Sequence, residues 1–202
     1  FEPPKRSNGP SCVTIRPMAL ARSIEEPPPN ATMPSAPEAR YASAAAREAG
    51  VEFDRAGSLP TTHESQGSDM GLFGGLLGWD ADDARLPDAA KALAEAGITL
   101  RIDTVDVGDP HPNTYRLTLR NARDAHSLIA ISTGGGMMEV LDIDGVALHM
   151  DGGYHETLIW LPKDAPCHFE ADEIIIHAAG DHQLVQVKAA DFVSTVGLDA
   201  IA

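Results

Sequence analysis

The sequence predicts an α+β fold on three observations. Helix-patterned segments come first, period-two segments follow from Ile98 onward, and Gly or Asp turn signals cut that second half into short pieces. With 202 residues, the chain can fold as one main domain and an appendage, since domains commonly hold roughly 100–200 residues. The main domain is expected over 1–152, with a small strand-rich module over 153–202. Apolar residues make up 43% and charged residues 22%, values of a folding chain with a packed core.

In chain order, the segment Pro27–Pro37 holds five prolines, which neither continue a helix nor join a sheet, so it is read as a loop. Pro37-Glu38 then opens an alanine-rich stretch through Ala49 that stops at Gly50, the pattern of a helix. Gly67–Gly78 is apolar and carries five glycines. Each Gly costs a helix about 1 kcal/mol against Ala, so a helix here requires tight packing or a close ligand. Asp80–Gly97 predicts an amphipathic helix with acidic residues at its start, apolar positions at Leu86, Ala90, Leu93 and Ala94, and Gly97 as terminator. Strands are expected over Leu100–Val105, Tyr115–Arg120, Leu128–Ile131, Met138–Ile143, Val146–Met150, Thr157–Leu161, Glu173–His177 and Leu184–Val187, with Asp144-Gly145 and Gly180-Asp181 as turns. The tail offers one short helix, Phe192–Val196.

A formal charge of −15 repels phosphate backbones and anionic lipid headgroups, which excludes nucleic acid and membrane surfaces as expected partners. No apolar run approaches the roughly 18–20 residues that span a bilayer, and the N-terminus lacks the order of a signal peptide, so a cytoplasmic protein is expected. Cys12 and Cys167 are the only cysteines. Far apart and without a CxxC partner, they indicate neither a disulfide framework nor a cysteine metal site. His126, His149, His155, His168, His177 and His182 form no recognised metal-ligand spacing, and no metal site is expected.

Two motifs carry chemistry. His111-Pro112-Asn113-Thr114 places an imidazole and an amide at a strand entrance, either as an acid–base group facing a cleft or as a locally bonded turn. Gly134-Gly135-Gly136, after Ser132-Thr133, either exposes backbone N–H groups to a carboxylate or marks a strand bend.

Four segments stand out together: Gly67-Ser68-Asp69 with Gly74-Gly75-Leu76-Leu77-Gly78-Trp79 and Asp82-Asp83-Ala84-Arg85-Leu86-Pro87-Asp88-Ala89; His111-Pro112-Asn113-Thr114; Ser132-Thr133-Gly134-Gly135-Gly136 with Glu139-Val140 and Ile143-Asp144-Gly145; and Gly9-Pro10-Ser11 with Pro17-Met18. In their shared order they resemble the β domain of the iron–sulfur L-serine dehydratases. The resemblance covers roughly residues 8 to 150 and implies a fold similar to allosteric-substrate-binding domains, with helices on a mixed or antiparallel sheet. Glu156–Leu161 with Pro162-Lys163-Asp164 looks like the start of a reduced ACT module. It further implies a 4Fe–4S cluster on an α-like partner chain, in a heterodimer or heterotetramer.

Dehydration of serine needs a Lewis acid on the β-hydroxyl and a base for the α-proton. Two isolated cysteines cannot supply the three thiolates of such a cluster, so the electrophile must come from the partner. The resemblance implies substrate binding by Ser11, Gln66, Gly67, Ser68, Asp69, Asn113, Thr114, Ser132, Gly134, Gly135 and Gly136, with His111 as the acid–base candidate. Two departures stand out. The family's Gly-His-Gly-Thr-Asp run reads Ser65-Gln66-Gly67-Ser68-Asp69 here, and its Ser-Ser-Ser-His-Thr run reads Ser11-Cys12-Val13-Thr14-Ile15. Glutamine cannot take a proton near neutral pH, and His63, three residues earlier, compensates only if the loop is rearranged. The expected function is a β-like lyase subunit acting on a small amino acid, with a changed substrate or leaving group. The alternatives are a non-catalytic ligand-binding or regulatory module, or a purely structural subunit.

Overall fold

The computed structural model describes residues 11–15, 46–80, 82–106, 108–122, 125–135, 137–165 and 171–190, the first of these ranges by its backbone alone. The strands are β1 (Ser11–Ile15), β2 (Glu48–Asp54), β3 (Thr99–Val105), β4 (Thr114–Arg120), β5 (Ala125–Gly134), β6 (Met137–Ile143), β7 (Val146–Met150), β8 (His155–Pro162), β9 (Glu173–Ala179) and β10 (His182–Ala189). Between β2 and β3 lie α1 (Leu59–Thr62), α2 (Ser68–Leu76), a 3-10 turn (Leu86–Asp88) and α3 (Ala89–Glu95). An α+β fold with a strand-rich C-terminal part is what the patterning predicts. The ACT-like reading of the tail rests on the resemblance alone.

Two sheets form. Six strands run in the order β3-β2-β4-β5-β6-β7, and four in the order β1-β8-β10-β9. Only the β2–β3 pair of the first sheet is parallel, and the second sheet is antiparallel throughout. Parallel neighbours need a long crossover, and α1, α2 and α3 supply it. These helices therefore pack on the sheet beside β2, where Ala49, Phe73, Leu76, Ala89, Leu93 and Ile98 share one buried cluster.

Two expectations are corrected. The helix expected to run from Pro37 through Ala49 is not helical where it is described: Ala46–Gly50 leads into and joins β2. Residues 37–45 and the Pro27–Pro37 loop lie outside the described residues. Ala49, Val51 and Phe53 are buried between Glu48, Gly50 and Glu52, a period of two that the alanines before it obscure. Gly50 is thus no terminator but a mid-strand residue paired with Thr118 and Arg101.

The helix expected over Asp80–Gly97 is shorter. Asp82–Arg85 is not helical, because Asp83 draws in the Arg85 N–H at 2.9 Å and its guanidinium, and α3 begins only after Pro87. Its buried stripe is Ala89 and Leu93; Ala90 and Ala94 face solvent. Gly97 does end it, with its N–H bonded to the Ala94 carbonyl at 3.0 Å. The glycine-rich stretch is helical as α2, and its close contact is found at Gly74, where a Cβ would lie 2.2 Å from Leu86 Cδ2. Each expected strand is present, and Asp144-Gly145 turns β6 into β7 with both φ angles positive (55° and 80°).

The C-terminal strands do not stand apart. Leu158, Trp160 and Leu184 from the second sheet pack with Ile143, Val146, Leu148 and Met150 from the first. The opposite face buries Ile159, Leu161, Val185 and Val187. β1, from the N-terminal end, pairs antiparallel with β8. The Phe192–Val196 helix lies outside the described residues.

Glu156 is 1% exposed near this inter-sheet core. Its Oε2 accepts from Gln186 Nε2 at 2.5 Å, while Oε1 has no hydrogen-bond partner among the described residues. Burial pushes its pKa above the ordinary 4.5, outweighing the Gln186 bond and the Lys188 and His149 charges; Asp151 pushes the same way as burial. The folded state therefore holds this proton more tightly than the unfolded chain. The stability that Glu156 contributes is fully present below the ordinary carboxyl range and is lost as pH rises through the raised value, with a slope of at most about 1.4 kcal/mol per pH unit. Urea unfolding across a pH series should show this slope in the native protein and lose it in Glu156→Gln; equal slopes would refute it.

Candidate functional site

Two chain segments far apart in sequence meet at the entrance of β4. The first is the turn between α1 and α2. Asp69 N–H donates to the His63 carbonyl at 3.3 Å, and His63 Nδ1 lies 2.8 and 2.9 Å from the two Asp69 carboxylate oxygens. Backbone and side chains thus clasp the same turn. Both side chains are 16% exposed. Gly67 opens α2 in the left-handed region (φ 73°), which lets the chain reverse inside that clasp.

Beneath the turn lies Phe53 of β2, which is completely buried. Its ring centroid is 5.1 Å from that of His63 and 5.1 Å, edge-on, from that of Tyr115 on β4. Burial pushes the Tyr115 pKa up, the neighbouring Ser68 side chain pulls it partly back, and the Asp69 carboxylate pushes it up again. Tyr115 therefore stays a neutral phenol at physiological pH.

The second segment is the His111–Thr114 loop. Asn113 N–H donates to His111 Nδ1 at 3.2 Å, and the Thr114 hydroxyl donates to the His111 carbonyl at 2.5 Å. The Asn113 side-chain oxygen accepts from the Ser58 N–H at 3.0 Å and from its hydroxyl at 3.1 Å. The Ser132 N–H donates to the Asn113 carbonyl at 2.9 Å, tying β5 to the same loop. Asp54, 4% exposed, accepts from Ala56 N–H at 2.8 Å and Asp109 N–H at 3.1 Å, fixing the approach of both loops. These hydrogen bonds hold its carboxyl below the usual range.

Gly57 makes this junction possible. A Cβ there would lie 1.9 Å from the Pro112 carbonyl oxygen and 3.0 Å from Asn113 Oδ1. Gly57→Ala must push the loops apart, so a loss of about 1–3 kcal/mol is expected in denaturant unfolding, together with a shifted Asn113 side-chain amide signal. An unchanged midpoint and signal would contradict the close approach.

Of the residues singled out in the sequence, His111, Asn113, Thr114 and Ser132 are tied together by hydrogen bonds, while Asp69 is bonded to His63 and Ser68 opens α2 beside it. Gln66 is exposed in the α1–α2 turn, with its N–H on the Thr62 carbonyl at 2.9 Å. Ser11 belongs to the four-stranded sheet, paired with Trp160. Gly134 and Gly135 form the exposed β5–β6 hairpin end, with positive φ (94° and 62°) and Gly134 paired to Met137. That placement suits the bend reading; Gly136 lies outside the described residues. Phe53, Gly57, Ser58 and Tyr115 were not foreseen. Tyr115 directly follows the His111–Thr114 motif, which is a usable signal, whereas nothing in the sequence marks Ser58.

Among the described residues, His63, Glu64 and Asp69 are the one grouping of nitrogen and carboxylate ligand atoms within 4.8 Å of one another. Glu64 is exposed, and the His63–Asp69 distances are those of a hydrogen bond. None of the described site residues is a thiol. Cys12 lies in β1 of the other sheet and Cys167 outside the described residues. A sulfur-ligated cluster does not fit this site from this chain's own donors. No helix among the described residues is long and apolar enough to cross a membrane.

No protein-family model matches the chain. It is 33% identical over 116 residues to the L-serine dehydratase beta chain of Peptoniphilus asaccharolyticus, covering 56% of this chain and 52% of that protein. Over 103 residues it is 31% identical to the probable L-serine dehydratase beta chain of Bacillus subtilis, covering 51% of this chain and 47% of that one. The resemblance carried by the motifs is thus borne out, and the chain spans about half the length of the curated relatives it matches.

Proposed function

We propose that this chain is the β-like subunit of a heteromeric, iron–sulfur-dependent lyase that carries out α,β-elimination on a small amino acid. The observation that carries this reading is the tie between the residue that opens α1 and the His111–Thr114 loop, Ser58 to Asn113, beside the Phe53 ring that lies against both His63 and Tyr115. Similarity to two beta chains named for L-serine dehydratase supplies the class of reaction.

The polar groups of this neighbourhood bind the amino-acid end of the substrate. Asn113 Oδ1 is fixed as the acceptor because a backbone N–H can only donate to it, which leaves the Asn113 amide N–H groups to donate outward. Ser68, Asp69, Thr114 and Ser132 shape the remainder, and acid–base chemistry comes from the imidazoles here. Gln66, Gly67, Gly134 and Gly135 border the face offered to the partner, and Ser11 contributes from β1. The cluster resides on an α-like partner and, when bound there, supplies a Lewis acid to the β-leaving group. With a charge of −15, which disfavours membrane surfaces and nucleic acid, a cytoplasmic assembly is the reading we favour.

The test is anaerobic co-expression with a cluster-bearing α-like chain, followed by an assay for keto-acid and ammonia release from L-serine and other small amino acids. Release that requires both chains supports the proposal. A colourless pair that does not associate, or an associated pair inert toward every amino acid, defeats it. The competing ligand-binding module predicts instead that an amino or hydroxy acid raises the melting temperature of this chain alone, whatever the state of any partner's cluster.

A further inference from the structure

The hydrogen bonds around the two imidazoles assign them opposite roles. At His63, Nδ1 faces two carboxylate oxygens of Asp69 at 2.8 and 2.9 Å, and a carboxylate can only accept. Nδ1 therefore carries the proton, and in the neutral ring Nε2 holds a lone pair. The His63 ring makes no other hydrogen bond among the described residues. At His111, Nδ1 accepts the Asn113 backbone N–H at 3.2 Å, and a backbone N–H can only donate. Its neutral ring must then carry the proton at Nε2. His63 thus presents an acceptor and His111 presents a donor.

We infer that His63, held in its Nδ1–H tautomer by Asp69, is the group that takes the substrate α-proton. His111 instead donates, with the Asn113 amide, to the substrate carboxylate. This rests on the lyase reading given above. It places the base outside the two motif histidines that Gln66 and Thr14 have displaced, and it makes Asp69 a positioning residue. In the step, His63 Nε2 accepts the Cα proton and the C–H electron pair becomes the Cα=Cβ bond. The Cβ–O bond breaks and the oxygen leaves with its own pair, to be protonated to water through solvent by the proton that His63 took up; a partner-held cluster would supply the Lewis acid for that leaving group. Phe53, 5.1 Å from the His63 ring, supports its position, and Asp69 stabilises the imidazolium that forms.

Two measurements test it. In the full chain, 15N–1H correlation spectra of the imidazoles at a pH where both are neutral should show His63 as Nδ1–H and His111 as Nε2–H, and Asp69→Asn should abolish the first assignment. In the wild-type complex with L-serine, His63→Ala should lower kcat about 10²–10⁴-fold with KM nearly unchanged and remove the acidic limb of the pH profile. Exogenous imidazole should restore part of that loss. His111→Ala should raise KM more than it lowers kcat. An Nε2–H His63, or a His63→Ala complex with unchanged rate and pH profile, overturns the assignment alone. A wild-type complex inert toward amino acids overturns the lyase reading itself, and the base role with it, whatever the tautomers.

Discussion

Phe53→Ala is expected to lower the stability of the chain by about 3–5 kcal/mol and to uncouple the site from the sheet. Phe53 is completely buried at the centre of a cluster with Val51, Leu59, Tyr115 and Ala130, so truncation leaves a cavity that strands on both sides cannot close. The same ring lies 5.1 Å from both His63 and Tyr115. Loss of stability should therefore come with loss of the His63 Nδ1–H signal, because the α1–α2 turn no longer rests on anything fixed. Calorimetry on the variant checks the first consequence and imidazole spectra the second. A small shift in melting temperature, with the tautomer retained, would mean that the turn is held by its own His63–Asp69 clasp and not by the core.

Leu184→Ala should cost about 2–5 kcal/mol and, more informatively, should lower the same transition as Phe53→Ala. Leu184 is completely buried among Leu158 and Trp160 of its own sheet and Ile143, Val146, Leu148 and Met150 of the other. Residues so shared make the two sheets one cooperative unit, although 153–202 reads as an appendage in the sequence. A single calorimetric peak that moves down in both variants is the expected result. Two peaks, one sensitive to Phe53 and the other to Leu184, would establish independent domains on either side of residue 152.

The strands from Thr99 onward were legible because half-buried strands alternate, and their turns carry Gly or Asp at positions that need positive φ. Asp144-Gly145 is the clearest case. β2 was not legible. Its alternation of Ala49, Val51 and Phe53 adjoins an alanine-rich stretch, and composition read as helix where the strand pairing with β3 and β4 decides otherwise. The helix from Asp80 was overextended because acidic residues next to a periodic stretch read as a first turn, whereas Asp83 spends its carboxylate on Arg85. In the site, the motif residues Ser68, Asp69, His111, Asn113 and Thr114 were visible as chemistry. What joins them was not, since the Ser58–Asn113 bond and the Gly57–Pro112 approach span 55 positions. His63 was weighed only as a rearranged substitute. The clasp with Asp69 is a property of a turn that places residues six apart face to face, which no helical or strand period encodes.

Iron analysis of the separated subunits bears most directly on the central claim, that another polypeptide brings the electrophile to this chain. The complex is purified without oxygen, its chains are resolved under anaerobic denaturing-free conditions, and iron and sulfide are counted on each. All of the iron should follow the α-like chain, with this chain colourless and inert until the two are recombined. Stoichiometric iron on this chain alone, or elimination catalysed by it unaided, would contradict the account.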